Sequence, residues 1–314
     1  MARSVSLTPR TEILQIIIIS CSDILTLKYV TVLIKQMESP PVASKLGQEE
    51  IIYLDWNNAF DILEKAYRSG LFVLIIGPKG TGKTTLVRRF ASEMKKELDS
   101  VNFSLRTRES HLVGSRTLNK GEINFVEGVL VKSMRSGTLL YLDELNAAEA
   151  DVLLRLDEAL DDRRQLVLKE AEGQVVKAAD DWFVIATINP LSHVGTKELP
   201  PQLLSRFPVR MRLDYPPEDI ELDIVNRHVK IDDSKIRDIK HAIQLAKSLR
   251  EAAAVEELYY SPSIRETIAF AKMLNTGLSG RQTAEIVYAN TYDQWGQVEY
   301  QKVMDMITSI FGDS

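Results

Sequence analysis

The sequence of 314 residues contains a single cysteine, Cys21, and has no long uninterrupted apolar run. One thiol excludes a disulfide within the chain and is typical of a reducing compartment. The most apolar stretch, residues 13–22, is followed by Asp23 and Lys28 before it reaches the roughly 20 residues that a membrane helix needs. We therefore expect no membrane span and a cytoplasmic location.

Metal-ligand spacing and a strong charge excess are also missing. The four histidines lie far apart and have no cysteines or carboxylates at ligand spacing, so no metal site built on them is expected. The net charge of -5 at pH 7 gives no overall attraction to nucleic acid. This balance argues against a nucleic-acid partner without excluding one.

The first 49 residues are predicted to be an N-terminal extension. A signal peptide fits the length of the apolar run, with Arg3 and Arg10 ahead of it, but no clear small-residue cleavage site follows. Alternatively, translation begins at Met37, because the regular pattern of helices and strands starts only near Ile51. We expect a chain that starts at Met37 to fold as well as the longer one.

One stretch matches the pattern G-x-x-x-x-G-K-[ST] between an apolar strand-type run, residues 71–76, and an amphipathic helical pattern, residues 86–96. Strand, loop and helix in this order predict a loop that directs backbone N–H groups and a helix N-terminus at phosphates. Lys83 would reach the β- and γ-phosphates of a nucleotide, and Thr84 would ligate magnesium. The predicted nucleotide-binding residues are Gly77, Pro78, Lys79, Gly80, Thr81, Gly82, Lys83, Thr84 and Thr85.

A second buried-strand run, residues 137–144, ends in Asp143 and Glu144. The carboxyl ends of parallel strands face the ligand crevice of an open α/β sheet, so two acids here are well placed for catalysis. Asp143 is predicted to hold magnesium through water, and Glu144 to polarise the attacking water as general base. The plainer alternative is an acidic N-cap of the following helix.

Three further polar residues follow at the ends of predicted elements. Asn189 comes after a buried strand at residues 182–187, where its amide would orient the water or the γ-phosphate, although an Asn-Pro pair also marks turns. Arg206 precedes the last strand, residues 209–213. Arg265 lies in the first turn of a helix that Ser261 and Pro262 introduce.

The remaining elements are predicted from periodicity and turn residues. A strand is expected at residues 101–105, a polar segment at 107–119, a small insertion at 121–128 and a β-hairpin around Gly173. Tyr215-Pro-Pro217 is the predicted boundary between a core, residues 50–215, and a helical domain, residues 216–314. Helices are predicted at residues 57–68, 129–135, 150–160, 217–228, 234–250, 261–275, 281–292 and 298–311.

Five of these motifs occur in an order that resembles an AAA+ ATPase. Residues 77–84 are similar to its Walker A loop and residues 139–144 to its Walker B strand. Asn189 is similar to sensor 1, Arg206 to the arginine finger and Arg265 to sensor 2. The segment Leu142-Asp-Glu-Leu-Asn146, the insertion before Gly128 and the hairpin around Gly173 are most similar to the MoxR and CbbQ/NirQ/NorQ branch.

The resemblance covers about residues 50–300 and implies an α/β fold, a P-loop NTPase αβα sandwich with a parallel five-stranded sheet, followed by a small all-helical lid domain. It implies ATP and Mg²⁺ as ligands, with Glu144, Asn189, Arg206 and Arg265 as catalytic residues. It further implies a homo-oligomeric, hexameric ring, a von Willebrand factor A domain partner and a protein client. The expected function is chaperone-like remodelling of protein complexes or metal-cofactor assembly.

Two other functions remain open from the sequence. The same motor could serve a nucleic-acid enzyme, such as a McrB-like GTPase or an MCM-like helicase, with basic residues at 132, 135, 163, 164 and 169 lining a central pore. A nucleotide-binding regulator that does not hydrolyse is the third reading. Because Glu144, Asn189 and Arg206 are all present, the sequence favours hydrolysis.

Overall fold

The computed structural model describes residues 51–119, 122–190 and 196–312, with only the backbone at residues 119, 122 and 123. The predicted extension, residues 1–49, and the proposed start at Met37 lie outside the described residues. In the described part of the chain, no helix is both long enough and apolar enough to cross a membrane.

A parallel five-stranded sheet is formed by strands between residues 73 and 212 of the described chain. Its three middle strands are aliphatic runs buried on both faces, which is typical of parallel sheets covered by helices. The strands are β1 (Val73–Ile76), β2 (Leu98–Asn102), β5 (Leu139–Asp143), β8 (Phe183–Ile188) and β9 (Val209–Arg212), in the spatial order β2-β5-β8-β1-β9.

Two antiparallel hairpins complete the strands. The hairpin around Gly173 is confirmed, with β6 (Gln165–Leu168) paired to β7 (Gln174–Lys177). The other one, β3 (Gly114–Asn119) paired to β4 (Glu122–Glu127), occupies the region that the sequence presented only as a polar segment and an insertion. Most residues of β3 are polar, so the strand lacks the alternation of apolar and polar residues that indicates a strand in a sequence. A strand exposed to solvent does not need that alternation.

Six α-helices lie between residues 59 and 205 of the described chain. The helical pattern that buries Ala59, Leu63 and Ala66 on one face of the first helix repeats in the fifth, where Val152 and Leu156 are buried. The helices are α1 (Ala59–Arg68), α2 (Lys83–Glu93), α3 (Glu109–Leu112), α4 (Val129–Ser136), α5 (Ala150–Ala159) and α6 (Pro201–Ser205).

The described chain from Glu218 to Phe311 is helical. Ser263 and Ser279 each accept a hydrogen bond at the start of a helix and take part in a capping box. The helices are α7 (Glu218–His228), α8 (Ile236–Ala254), α9 (Ile264–Leu274), α10 (Gly280–Ala284), α11 (Asn290–Tyr292) and α12 (Gln297–Phe311), with a π-turn at Glu285–Ala289 joining α10 to α11.

The buried apolar side chains form two clusters. One runs along the chain from Ala59 to Leu213 and the other from Val225 to Ile307. The α/β fold with a parallel five-stranded sheet followed by a helical region is therefore confirmed. The division into domains at residues 215 and 216 falls where one cluster gives way to the other, and we keep it as a proposal.

The edge strand β2 (Leu98–Asn102) begins and ends three residues earlier than the strand predicted at residues 101–105, so the two overlap only at residues 101 and 102. Its sequence, Leu-Asp-Ser-Val-Asn, is half polar and pairs on one side only, with β5. An edge strand needs no continuous apolar run. The apolar residues Phe103 and Leu105 favour a strand that ends later in the chain, and this accounts for the difference. Asn102 consequently ends β2 beside Asp143.

Candidate functional site

The site is built around the loop between β1 and α2. Gly80 and Gly82 have φ angles of 72° and 89°, a region that residues with a side chain rarely adopt. A Cβ atom at Gly77 would lie 2.0 Å from the carbonyl oxygen of Leu213, so the backbone passes there only because the residue is glycine. The loop thus delivers the chain to the N-terminus of α2, where unpaired N–H groups favour an anion.

Lys83 is the first residue of α2 and is 7% exposed. Its ammonium donates hydrogen bonds to Gly77 O at 2.6 Å, Pro78 O at 2.7 Å and Asn189 Oδ1 at 3.0 Å. Burial lowers the pKa of this lysine to about 8, against the attraction of Asp143 and Glu144. All three donors of the ammonium are engaged, so a phosphate must replace one of these acceptors.

Asp143 ends β5, and its Oδ2 accepts a hydrogen bond from Thr84 Oγ1 at 3.3 Å. A hydroxyl and a carboxylate are hard oxygen donors that fit Mg²⁺. No group of three or more His, Cys, Asp and Glu side chains suited to a metal ion occurs in the described part of the chain. The donor set therefore suits Mg²⁺ that shares its remaining ligands with water and substrate phosphates.

Glu144 follows Asp143 in the left-handed region, with φ 55°, and its side chain is about one-third exposed. Such a conformation costs free energy for a residue other than glycine and is frequent at functional sites. Asn189 Nδ2 donates to Glu144 Oε1 at 3.2 Å, and Lys79 Nζ lies 4.0 Å from the same oxygen. The carboxylate is thus held beside the loop with one face open.

Asn189 connects the two charged groups of the site, because its Oδ1 accepts from Lys83 and its Nδ2 donates to Glu144. It is 4% exposed at the end of β8. Asn146 fixes its backbone, donating from Nδ2 to Asn189 O at 2.9 Å and accepting from Asn189 N at 3.3 Å. The sequence offered no signal for this contribution of Asn146.

The structure separates the two predicted arginines. Arg265, in the first turn of α9, lines the same cavity as the loop. Arg206 does not line it, and its Nε donates to Asp157 Oδ1 on α5 at 2.9 Å. The chain's own loop therefore has Arg265 available, whereas the catalytic role that the resemblance implies for Arg206 stays a prediction.

A cavity of about 400 Å³ lies above the loop, within the range of small-molecule sites. The residues that line it include the charged and polar side chains of Lys83, Asp143, Glu144, Asn189 and Arg265. A second group of lining residues is largely apolar or aromatic, which suits the ring of a nucleotide base. No sequence motif marks this second group, whose members are Ile52, Tyr53, Leu54, Trp56, Pro216, Ile224, His228, Ile264 and Ile268.

The part of the chain that carries the loop matches a known protein family. The family model for the AAA domain of the dynein-related subfamily matches residues 72–207. That range contains the loop, Asp143, Glu144, Asn189 and Arg206, while Arg265 lies beyond it.

Three relatives are similar over long stretches. An uncharacterised protein of Staphylococcus epidermidis is 35% identical over 183 residues, which are 57% of this chain and 68% of that protein. The denitrification regulatory protein NirQ of Stutzerimonas stutzeri is 29% identical over 262 residues, covering 83% of this chain and 92% of NirQ. Protein NorQ of Paracoccus denitrificans is 28% identical over 260 residues, covering 83% of this chain and 94% of NorQ.

Proposed function

We propose that this chain, which belongs to the dynein-related subfamily of AAA domains and is an ATPase, uses ATP hydrolysis to remodel protein complexes or to assist metal-cofactor assembly. The observation that carries the hydrolytic part is the bridge by Asn189 between Lys83 and Glu144. It joins a phosphate-binding cation and a candidate base within one cavity. A protein that only bound nucleotide would not need a carboxylate held there.

In the proposed reaction, Lys83 leaves a loop carbonyl and binds the β- and γ-phosphates, where its charge offsets the charge of the substrate. Glu144 accepts a proton from the attacking water, and Asn189 orients that water or the γ-phosphate. Arg265 faces the same cavity and would contact the phosphates from the side of α9.

Thr84 and Asp143 are the residues that would hold Mg²⁺. When bound, Mg²⁺ would neutralise the negative charge that develops on the phosphate oxygens. Both residues line the cavity, and the distance of 3.3 Å between Thr84 Oγ1 and Asp143 Oδ2 allows these oxygens to take part in one site.

AAA ATPases typically assemble into oligomers, and we propose a homo-oligomeric ring, hexameric as in the family branch that the sequence resembles. In such a ring, Arg206 would serve the neighbouring subunit. Arg206 does not line the cavity of its own chain, which supports this assignment. A positioned arginine of this kind contributes about three to five powers of ten to related phosphoryl transfer.

The client is proposed to be a protein. NirQ is described as a denitrification regulatory protein, and by analogy we propose that this chain, acting in the cytoplasm, changes the state of a partner enzyme, together with a von Willebrand factor A domain protein. The net charge of -5 supports a protein client over a nucleic-acid track.

A capture experiment tests this function. Glu144→Gln should bind ATP without hydrolysing it and so retain its client in ATP, whereas Lys83→Ala should retain none. Proteins enriched on the first variant and absent from the second are then added to the wild-type ATPase, alongside single-stranded and duplex DNA. Stimulation by an enriched protein supports remodelling, and stimulation by DNA alone would favour the nucleic-acid motor instead.

A further inference from the structure

Beneath the loop, three buried or half-buried hydroxyl groups converge on one carboxylate. Tyr141 OH donates to Asp143 Oδ1 at 2.7 Å, and Thr187 Oγ1 donates to the same oxygen at 2.6 Å. Thr84 Oγ1 lies 3.2 Å from Tyr141 OH and donates to Asp143 Oδ2 at 3.3 Å. Both of the proposed magnesium-holding side chains, Thr84 and Asp143, are therefore bonded to Tyr141.

The strand register accounts for this convergence. Tyr141 and Asp143 are two residues apart on β5, so their side chains lie on the same face of the sheet. Thr187 stands on the neighbouring parallel strand β8, one residue after the pair Leu142 and Ala186. Tyr141 is 1% exposed and Thr187 is fully buried, so their hydroxyls need acceptors within the protein, and the carboxylate provides one for both.

We propose that Tyr141 and Thr187 are positioning residues for magnesium in the ATPase site, because together they orient the Asp143 carboxylate and, through Tyr141, the Thr84 hydroxyl. With two donors on Oδ1, the carboxylate is fixed and Oδ2 is the oxygen on the side of Thr84. This inference rests on the proposed roles of Thr84 and Asp143 and adds two residues to which the sequence motifs give no role.

The hydroxyl of Tyr141 can also connect Thr84 to Asp143 in a chain of hydrogen bonds, accepting from Thr84 and donating to Asp143. When Thr84 gives a lone pair to a metal, its proton needs an acceptor, and Tyr141 OH or Asp143 Oδ2 is within reach. Since Tyr141 donates its own proton to Asp143, it can accept from Thr84 at the same time. Thr187 additionally accepts from the backbone N of Glu144 at 3.1 Å, which ties the candidate base to the same network.

The test is to remove one hydroxyl and measure metal binding directly. Tyr141→Phe keeps the ring and deletes the donor. Mn²⁺ binding to the protein saturated with ADP is followed by electron paramagnetic resonance, and Mg²⁺ is measured by competition. Loss of a partner that orients a metal ligand typically lowers metal affinity about 10- to 100-fold, and we expect a loss in this range. ADP affinity in excess EDTA should stay within about twofold of the wild type, since Tyr141 does not line the cavity.

Matched variants separate positioning from general damage. Tyr292→Phe removes another buried tyrosine hydroxyl, bonded to Tyr260 O at 2.8 Å in the helical region, and should leave metal affinity unchanged. Thr187→Val should weaken metal binding, while Thr187→Ser, which keeps the hydroxyl, should restore most of it.

Two results would overturn the inference. One is unchanged Mn²⁺ affinity in Tyr141→Phe. The other is an equal loss of ADP affinity with and without metal, which would make Tyr141 a support of the fold alone. If the wild-type protein bound no nucleotide at all, the proposed function itself would fail, and that outcome is distinct from both.

Discussion

A Cβ atom placed on Gly80 would lie 2.1 Å from Cβ of Ser263, so the nucleotide loop and the start of α9 are in direct contact. Ser263 Oγ accepts from Arg265 N at 3.2 Å and donates to Glu266, closing a capping box around the first turn. The helix that carries Arg265 thus begins against the loop that binds phosphate. Tyr215, at the proposed domain boundary, adds a hydrogen bond from its hydroxyl to Lys79 O at 2.9 Å.

Gly80→Ala is therefore predicted to weaken both folding and nucleotide binding. The positive φ of 72° costs an alanine about 1–2 kcal/mol, and overpacking against Ser263 adds about 1–3 kcal/mol. The matched control is Gly173→Ala, which has φ 78° and nothing within 4 Å of the added Cβ. Denaturant unfolding and a fluorescent-nucleotide titration measure the two effects.

In the control variant, the free energy of unfolding should fall only by the cost of the positive φ angle, and nucleotide should bind as it does to the wild type. The double variant Gly80→Ala with Ser263→Gly, which removes the clashing atoms, should recover part of the lost affinity. Equal stability and equal affinity of Gly80→Ala and Gly173→Ala would show that the contact with α9 has no effect.

Arg155 is predicted to be a major stabilising residue outside the cavity. Its side chain is 7% exposed and contacts Glu109 and Glu158, both at 2.7 Å, and Val167 O at 3.0 Å. Arg155→Met leaves these carboxylates without their cation. We expect a loss of about 2–3 kcal/mol in the free energy of unfolding, less than for a fully buried pair because the carboxylates are about one-third exposed.

The comparison for Arg155 is Arg163→Met, since Arg163 is 75% exposed and pairs with Asp161 at the surface. That change should stay within about 0.5 kcal/mol of the wild type. Chemical denaturation of both variants decides the point. A loss in Arg155→Met no larger than in Arg163→Met would contradict the assignment.

Much of the site could be predicted because Lys83, Thr84, Asp143 and Glu144 stand in short continuous motifs, where chain neighbours fix the geometry. The convergence of Tyr141 and Thr187 on Asp143 could not, since it depends on the register between β5 and β8, which are distant along the chain. The apolar and aromatic residues that line the cavity carry no motif for the same reason. They come from segments far apart along the chain, as Tyr53 and Ile224 do.

Mixing two inactive variants tests whether Arg206 acts on the neighbouring subunit. Arg206→Ala and Lys83→Ala should each be inactive, yet a mixture should recover part of the ATPase activity. A Lys83→Ala subunit would offer its intact Arg206 to the working loop next to it. Activity is followed against the mixing ratio, and recovery should vanish on dilution below the assembly concentration.

The mixture must be checked for mixed oligomers by size and by differential labelling. A mixture that stays inactive although mixed oligomers form would refute the trans role. Full activity of Arg206→Ala alone would do the same and leave Arg206 as a surface partner of Asp157.

The central claim is that one cavity both binds ATP through Lys83 and hydrolyses it through Glu144. The most direct measurement is ATP binding and turnover in Glu144→Gln and Lys83→Ala side by side, each checked for wild-type unfolding behaviour. Glu144→Gln should bind Mg-ATP as the wild type does and hydrolyse it about 10²- to 10⁴-fold more slowly, whereas Lys83→Ala should bind none. Near-normal turnover in Glu144→Gln, or wild-type ATP affinity in Lys83→Ala, would contradict it.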